Sequence, residues 1–307
     1  RQGPAGIGRV RTATTAGTGA THAARRLLMS ADTPRERHDR DPIRVVRSKE
    51  TLMKTRATRN TRSTALSSML LVGLLAAGCG SSASGGPTGG GGGEPFQPDF
   101  SAARFSDPTT IDNPFFPLVP GTITAFRTQT EDGTETGTVE VTDQVRVVQG
   151  VECVVVHDVV AVDGEVIEDT DDWFAQDDDG NVWYMGEASE DFEDGVLVST
   201  AGSWEAGLDV AGVGSIAQPG YAMPADPRVG DLYRQEFYPG EAEDQAEVLS
   251  TDATVTLEDG RVFTGCLQTR DVNPLDRESA AELKYYAPGI GVVVEETVDG
   301  EERGELQ

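Results

Sequence analysis

The chain has 307 residues, with 25 Lys plus Arg against 52 Asp plus Glu and a net charge of -27. That average hides two regions: residues 1–78 carry 15 basic and 5 acidic side chains, whereas residues 79–307 carry 10 and 47. A surface so poor in cations is unsuited to phosphate or anionic lipid, so no nucleic-acid partner is expected for the acidic region. With 37% hydrophobic residues in the chain, the acidic region suffices for one sizeable core, and a single globular domain is expected.

Residues 1–52 are rich in Arg, Thr and Ala and lack apolar periodicity, which reads as a disordered or mis-annotated extension. From Met53, the charges of Lys54, Arg56, Arg59 and Arg62 precede a short apolar run, Leu66 to Ala77. The run is too short to span a bilayer and has the form of an export signal over residues 53–78. Ala76, Ala77 and Gly78 stand directly before Cys79 and resemble the lipobox of bacterial lipoproteins, with Ala76 where that family prefers Leu. The resemblance implies cleavage before Cys79 and acylation there with diacylglycerol and palmitate. The chain would then be exported and anchored by lipid to the bacterial membrane, with its domain outside the cytoplasm. Gly80 to Gly93 is a Gly/Ser-rich coil, a tether of roughly 20 Å root-mean-square span within the stretch 79–110.

Residues 111–307 read as one β-rich domain. From Gly121 onward, β-branched or aromatic residues alternate with polar ones, the period of half-buried strands. Candidate strands are 121–130, 136–148, 152–162, 165–176, 181–187, 195–200, 231–238, 245–250, 253–258, 261–270, 281–287 and 291–298. Asp-Gly pairs, among them those at 132, 163, 179, 259 and 299, supply the positive φ angles of tight hairpins. About twelve strands in sequence predict an all-β antiparallel meander closed into a barrel or half-barrel, because closure removes exposed edges. A two-layer sandwich is the alternative. The irregular segment 202–231 carries Trp204, Leu208, Val210, Ile216, Tyr221 and Met223, and is expected to pack on the sheet as a plug or lid.

Chemistry-bearing residues are sparse. His157 is the only histidine after residue 78, on a strand where it shares a face with Cys153, Val155 and Val159. A lone, partly buried histidine nearly excludes histidine-base catalysis and supplies no tetrahedral zinc set. Cys153 and Cys266 are a disulfide candidate, closing a loop of about 113 residues worth about 4 to 5 kcal/mol in the chain-entropy model. The acidic run 166–195 suggests Ca²⁺ through Asp169 to Asp179, yet Ala175 occupies the first ligand position of the helix-loop-helix calcium pattern. Glu168, Asp172, Glu187 and Glu205 lie near aromatic residues, the composition of a carboxylate-based hydrolase acting on polysaccharide.

Five segments, IDNPFFPLVPGT (111–122), DTDDWFAQDDDGNVWYMGE (169–187), GSWEAG (202–207), MPADPRVGDLYRQEFYPGEAED (223–244) and ELKYYAPGIGVVVEE (282–296), together resemble a family of uncharacterised bacterial lipoproteins and secreted proteins. The resemblance implies one β-rich envelope domain and no known activity. Trp183, Glu187, Trp204, Glu205, Gln235 and Tyr286 lie inside these segments and are the candidate ligand-binding residues. The functional expectation is a membrane-tethered binding or structural module for a small molecule or envelope component. A hydrolase and a Ca²⁺-binding surface protein are the alternatives.

Overall fold

The computed structural model describes residues 93–276 and 280–307. The expectations for residues 1–78, for Cys79 and for the tether up to residue 92 lie outside them. The strands are β1 (Ile123–Thr130), β2 (Gly133–Val148), β3 (Val151–Val162), β4 (Glu165–Gln176), β5 (Val182–Glu193), β6 (Val196–Ser199), β7 (Trp204–Glu205) and β8 (Gln218–Met223). They continue with β9 (Leu232–Arg234), β10 (Glu236–Phe237), β11 (Gln245–Thr256), β12 (Val262–Val272), β13 (Glu282–Ala287), β14 (Gly291–Thr297) and β15 (Arg303–Leu306). Among the described residues the only helical element is a 3-10 turn at Phe100–Ala102.

All strands belong to one antiparallel sheet, in the order β10-β8-β5-β4-β3-β2-β1-β15-β14-β13-β12-β11-β9, with β6 and β7 also on β5. The two ends of that order, β9 and β10, are separated in the chain by Gln235 alone. A single stretch therefore pairs with β11 through Leu232–Arg234 and with β8 through Glu236–Phe237. This brings the ends together and makes a nearly closed barrel, not a sandwich. Closure leaves little unpaired edge in so long a sheet.

The Asp-Gly signals fall at strand ends, and the turn at Asp163–Gly164 has both residues at positive φ, 50° and 89°. That is the twist-matched two-residue hairpin, and Gly164 takes its second position without a Cβ clash. Gln149–Gly150 and Asp194–Gly195 make the same kind of turn. Three strands have no expected counterpart: β7, β8 and β15. The segment 202–231 does not plug or lid the mouth as one loop, since β7 and β8 both pair with β5 and extend the wall. Its tip leaves Leu208, Val210, Val213 and Ile216 exposed.

Packing begins before Ile111. Phe96 exchanges backbone hydrogen bonds with Leu232 and Arg234, at 2.8 and 3.0 Å. Phe100 and Phe105 then meet Trp183 at ring distances of 5.3 and 6.3 Å. The main apolar cluster runs from Ile111 and Phe116 through β2 to β5, β11 and β12, and a smaller one joins Val255, Leu257, Cys266, Ala287, Val293 and Val294.

Candidate functional site

Residues paired across neighbouring strands project from the same face of a sheet, so the register assigns the inner wall of the barrel. On β3 the inner residues are Val154, Val156, Asp158 and Val160, and their partners on β4 are Phe174, Asp172, Thr170 and Glu168. On β2 the corresponding residues are Val141, Val139 and Gly137, followed by Glu135 opposite Val162. One row then runs from Glu135 through Thr128 and Gly304 to Glu295, Lys284 and Thr269. The inner wall thus changes character along the barrel axis. One end is apolar, with Val154, Val156, Phe174, Leu267 and Tyr286. The other is a band of carboxylates: Glu135, Asp158, Glu168, Asp172, Glu187, Asp271, Glu282 and Glu295.

Glu187 owes its place on this wall to a bulge. Trp173 pairs with Gly186 and Phe174 with Tyr184, which leaves Met185 as the extra residue. Tyr184 and Glu187 are thereby brought to one face beside Asp172. Gly186 has φ 140°, and a Cβ there would lie 2.5 Å from the carbonyl oxygen of Trp204, so only glycine fits where β7 crosses. The Tyr184 hydroxyl sits 2.6 Å from Asp172 Oδ1 and 2.7 Å from Glu187 Oε2. Its ring stacks on Phe174 at 4.9 Å and meets Trp204 edge-on at 5.3 Å.

Lys284 is the band's cation. Its Nζ lies 3.1 Å from Glu295 Oε1, 3.7 Å from Asp271 Oδ2 and 3.8 Å from Glu282 Oε2. Burial alone would strip its charge, but Glu295, Asp271 and Glu282 overcome that and hold the ammonium well above its ordinary range. The carboxyls go the other way. Burial, with Glu302, Glu295 and Glu168 adding repulsion, pushes Glu135 up to about 8. Burial likewise lifts Asp158, with Glu168 and Glu295 adding to it, and Asp172, with the Tyr184 hydrogen bond opposing. Burial raises Glu187, with Glu236 and Asp172 adding to it, and Glu236, with Asp244 adding to it; burial also lifts Asp244 to about 7, with Lys284 opposing and Asp271 adding. Asp158 is 2% exposed, and apart from the Val159 backbone N–H, which opposes its rise, its carboxyl oxygens have no hydrogen-bond partner.

The fold brings together four of the six candidate ligand-binding residues. Glu187, Trp204 and Tyr286 are buried on the inner wall, and Gln235 joins them through Nε2, 3.2 Å from Asp271 Oδ2. The other two face away. Trp183 donates from Nε1 to Asp177 Oδ2 at 2.8 Å and packs under the Phe96–Phe105 arm. Glu205, one residue after Trp204, pairs with Arg146 at 2.5 Å, whose guanidinium covers the Trp173 ring at 3.8 Å. The sheet separates Glu187 from Glu205, so these two cannot flank one glycosidic bond.

Cys153 and Cys266 are buried free thiols. The expected disulfide is absent, because β3 and β12 lie six places apart in the sheet and both thiols are on the outer face. A bridge needs Cα atoms within about 7 Å. His157 sits on the outer face 2.7 Å from Asp169 Oδ1. Asp177 accepts bonds from Asp179 N, Asn181 and Trp183, and Asp178 from Ser106, so loop geometry already employs these carboxylates. Among the described residues, no three His, Cys, Asp or Glu side chains are grouped to hold a metal ion. An outer groove of about 680 Å³ near Arg127, Arg261 and Arg303 lies outside the lumen; Arg261 and Arg303 are tied to Asp259 and Glu305 at 2.6 and 2.7 Å.

Tyr184, Asp158, Glu135 and Lys284 were not singled out by sequence. Two signals were present: Asp158 is a charge in the inner phase of a valine strand, and Lys284 is the only lysine after residue 78.

No protein-family model and no curated protein matches the chain. Among solved structures it is similar to one described as an exported protein with a YmcC-like fold from Bacteroides fragilis. That pair shares 18% identity at a TM-score of 0.35, over 63% of this chain and 97% of the other. It is also similar to one described as a lipoprotein from Parabacteroides distasonis, with 13% identity and a TM-score of 0.32, again over 63% and 97%. Among the described residues no helix is long and apolar enough to cross a membrane.

Proposed function

We propose that this chain is an exported, lipid-anchored binding protein whose barrel lumen holds a small polar ligand. The reading of the anchor rests on the charged leader from Met53, the short apolar run and the small residues before Cys79. The reading of the lumen rests on one observation above all: the inner wall carries Glu135, Asp158 and Asp172 inside the fold, with carboxyl oxygens that no side chain bonds. A wall built only for stability would be apolar there, since a buried polar group without a partner costs about 1–3 kcal/mol. Aromatic rings beside the carboxylates, Tyr184 and Trp204, supply the flat apolar surface that such sites use to orient a ligand.

Mass spectrometry of the mature N-terminus tests the anchor: a diacylated Cys79 is expected, and release of the Cys79→Ser protein from the membrane fraction. An unmodified N-terminus would overturn it. Thermal-shift screening of small polar molecules against wild type and Tyr184→Phe tests the lumen. Ligands whose shift is lost in the variant support it, and shifts unchanged in the variant would move the site elsewhere.

A further inference from the structure

We propose that the outer groove beside β1 and β15 binds a small zwitterion, an amino acid or short peptide, with its carboxylate on Arg127 and its ammonium on Glu258 and Glu301. This site is separate from the lumen, and its failure would leave the reading of the lumen standing. The groove has a volume of about 680 Å³ and lies between the β11–β12 turn, the β14–β15 turn and the outer faces of β1 and β15. Small-molecule sites span about 300–1,000 Å³.

Hydrogen bonds that fix the walls use up most of the groove's charges. Glu305 accepts from the Glu258 backbone N–H on Oε2 at 2.8 Å and from Arg303 Nε on Oε1 at 2.7 Å, and Arg303 also donates to the Thr256 carbonyl at 3.1 Å. Arg261 is held by Asp259 at 2.6 Å and by the Leu306 carbonyl. The β11–β12 turn is thereby clamped to β15. Arg127 stands directly opposite Glu305 across β1 and β15, the position of a cross-strand ion pair. Both Glu305 oxygens are already engaged, and the exposed Arg127 guanidinium forms no hydrogen bond or ion pair. Glu258 and Glu301 are exposed on the same groove, and their carboxylates form none either.

A guanidinium fork matches a carboxylate, two N–H groups to two oxygens. A simple anion would meet repulsion from Glu258 and Glu301, and a simple cation would meet it from Arg127. One molecule carrying both charges satisfies all three groups, and a primary ammonium has three N–H donors to share between the two carboxylates.

Isothermal titration of the full chain at pH 7.5 and constant ionic strength tests the inference, with alanine and trialanine, each also in N-acetylated and C-amidated form. Alanine or trialanine should bind saturably, and the tighter of the two names the source. Blocking either end of that molecule should weaken it at least tenfold. Arg127→Gln, and Glu258→Gln combined with Glu301→Gln, should each do the same at an unchanged melting temperature, because these side chains hold nothing in the fold. Arg228→Gln, an exposed arginine paired with Asp226 outside the groove, and Tyr184→Phe in the lumen should leave binding unchanged. Equal binding of a blocked form would show that only one charge is read and would overturn the zwitterion. Loss in Tyr184→Phe without loss in Arg127→Gln would move the ligand to the lumen, and equal loss in Arg228→Gln would mean diffuse attraction; either result overturns the groove. Absence of saturable binding by both alanine and trialanine would overturn the proposal as well.

Discussion

Asp172 and Glu187 stand directly opposite each other on β4 and β5 and share one hydroxyl, that of Tyr184, at 2.6 and 2.7 Å. A phenol has one proton, so it can donate to only one of them. At least one of the two carboxyls must therefore carry a proton of its own, in keeping with the rise that burial imposes on both. Tyr184→Phe removes the shared donor and should cost about 1–3 kcal/mol. The loss should be greater at pH 8 than at pH 5, where protonated carboxyls can bond each other. Urea unfolding at the two pH values checks this, and a pH-independent loss would show that the hydroxyl only fills space.

The raised carboxyls fix the sign of the pH dependence. Glu135 has an ordinary value of 4.5 when exposed and is held at about 8 in the fold, with Glu302, Glu295 and Glu168 facing it. Between those values the folded chain keeps a proton that the unfolded chain has lost, so stability falls as pH rises from about 4.5 to about 8 and levels beyond. Asp158, Asp172, Glu187, Glu236 and Asp244 act in the same sense. Unfolding midpoints should drop steadily from pH 5 to pH 8, with a shallower slope in Glu135→Gln. A flat profile in the wild type would contradict the buried acidic band.

The strands were legible because each shows a period of two bounded by Asp-Gly or another turn pair: 165–176 was expected and β4 occupies it. β7 and β8 were not legible, since two and six residues inside a Gly- and Pro-rich stretch carry too little alternation. What fixes them is pairing with β5, a contact distant in sequence. The site was half legible for the same reason. Trp204 and Glu187 stood out as an aromatic and a carboxylate within distinctive segments, but the buried Asp158 and Lys284 share one interior with them only when β3 and β13 curl to opposite walls. Trp183 and Glu205 misled because facing depends on the Gly186 bulge, which a strict period of two does not contain.

Calcium should stabilise the protein no more than screening does. In the run Asp169 to Asp179, Asp169 is paired with His157, Asp177 and Asp178 hold the hairpin to its surroundings, and no chelating group forms among the described residues. Millimolar CaCl₂ and NaCl of equal ionic strength should therefore raise the melting temperature equally. A selective Ca²⁺ shift reversed by EDTA would restore a cation site.

The two barrel thiols should be inert in the folded protein. Burial pushes Cys153 up to about 12, and Cys266 is fully buried in the smaller apolar cluster. Thiolate is the reactive form, so alkylation should be negligible until unfolding. Reducing agent should leave the melting temperature unchanged. Rapid native labelling of Cys153 by iodoacetamide, read by peptide mass spectrometry, would count against this packing.

Lys284 should be the most sensitive single charge in the barrel. Its ammonium is 5% exposed and lies within 4 Å of three carboxyls, on Glu295, Asp271 and Glu282. Lys284→Met keeps much of the side-chain volume but leaves those carboxyls facing one another in a low-dielectric interior. Breaking such a pair typically costs about 3–5 kcal/mol, because the stranded charge is uncompensated. The stranded acids can recover by taking up protons, so the loss should shrink as pH falls from 8 to 5. The double variant Lys284→Met with Glu295→Leu should regain part of the stability, since it removes one stranded charge together with its partner. Unfolding midpoints for the single and double variants at both pH values decide it. A loss below about 0.5 kcal/mol at pH 8 would mean that the lysine is not what holds the facing wall together.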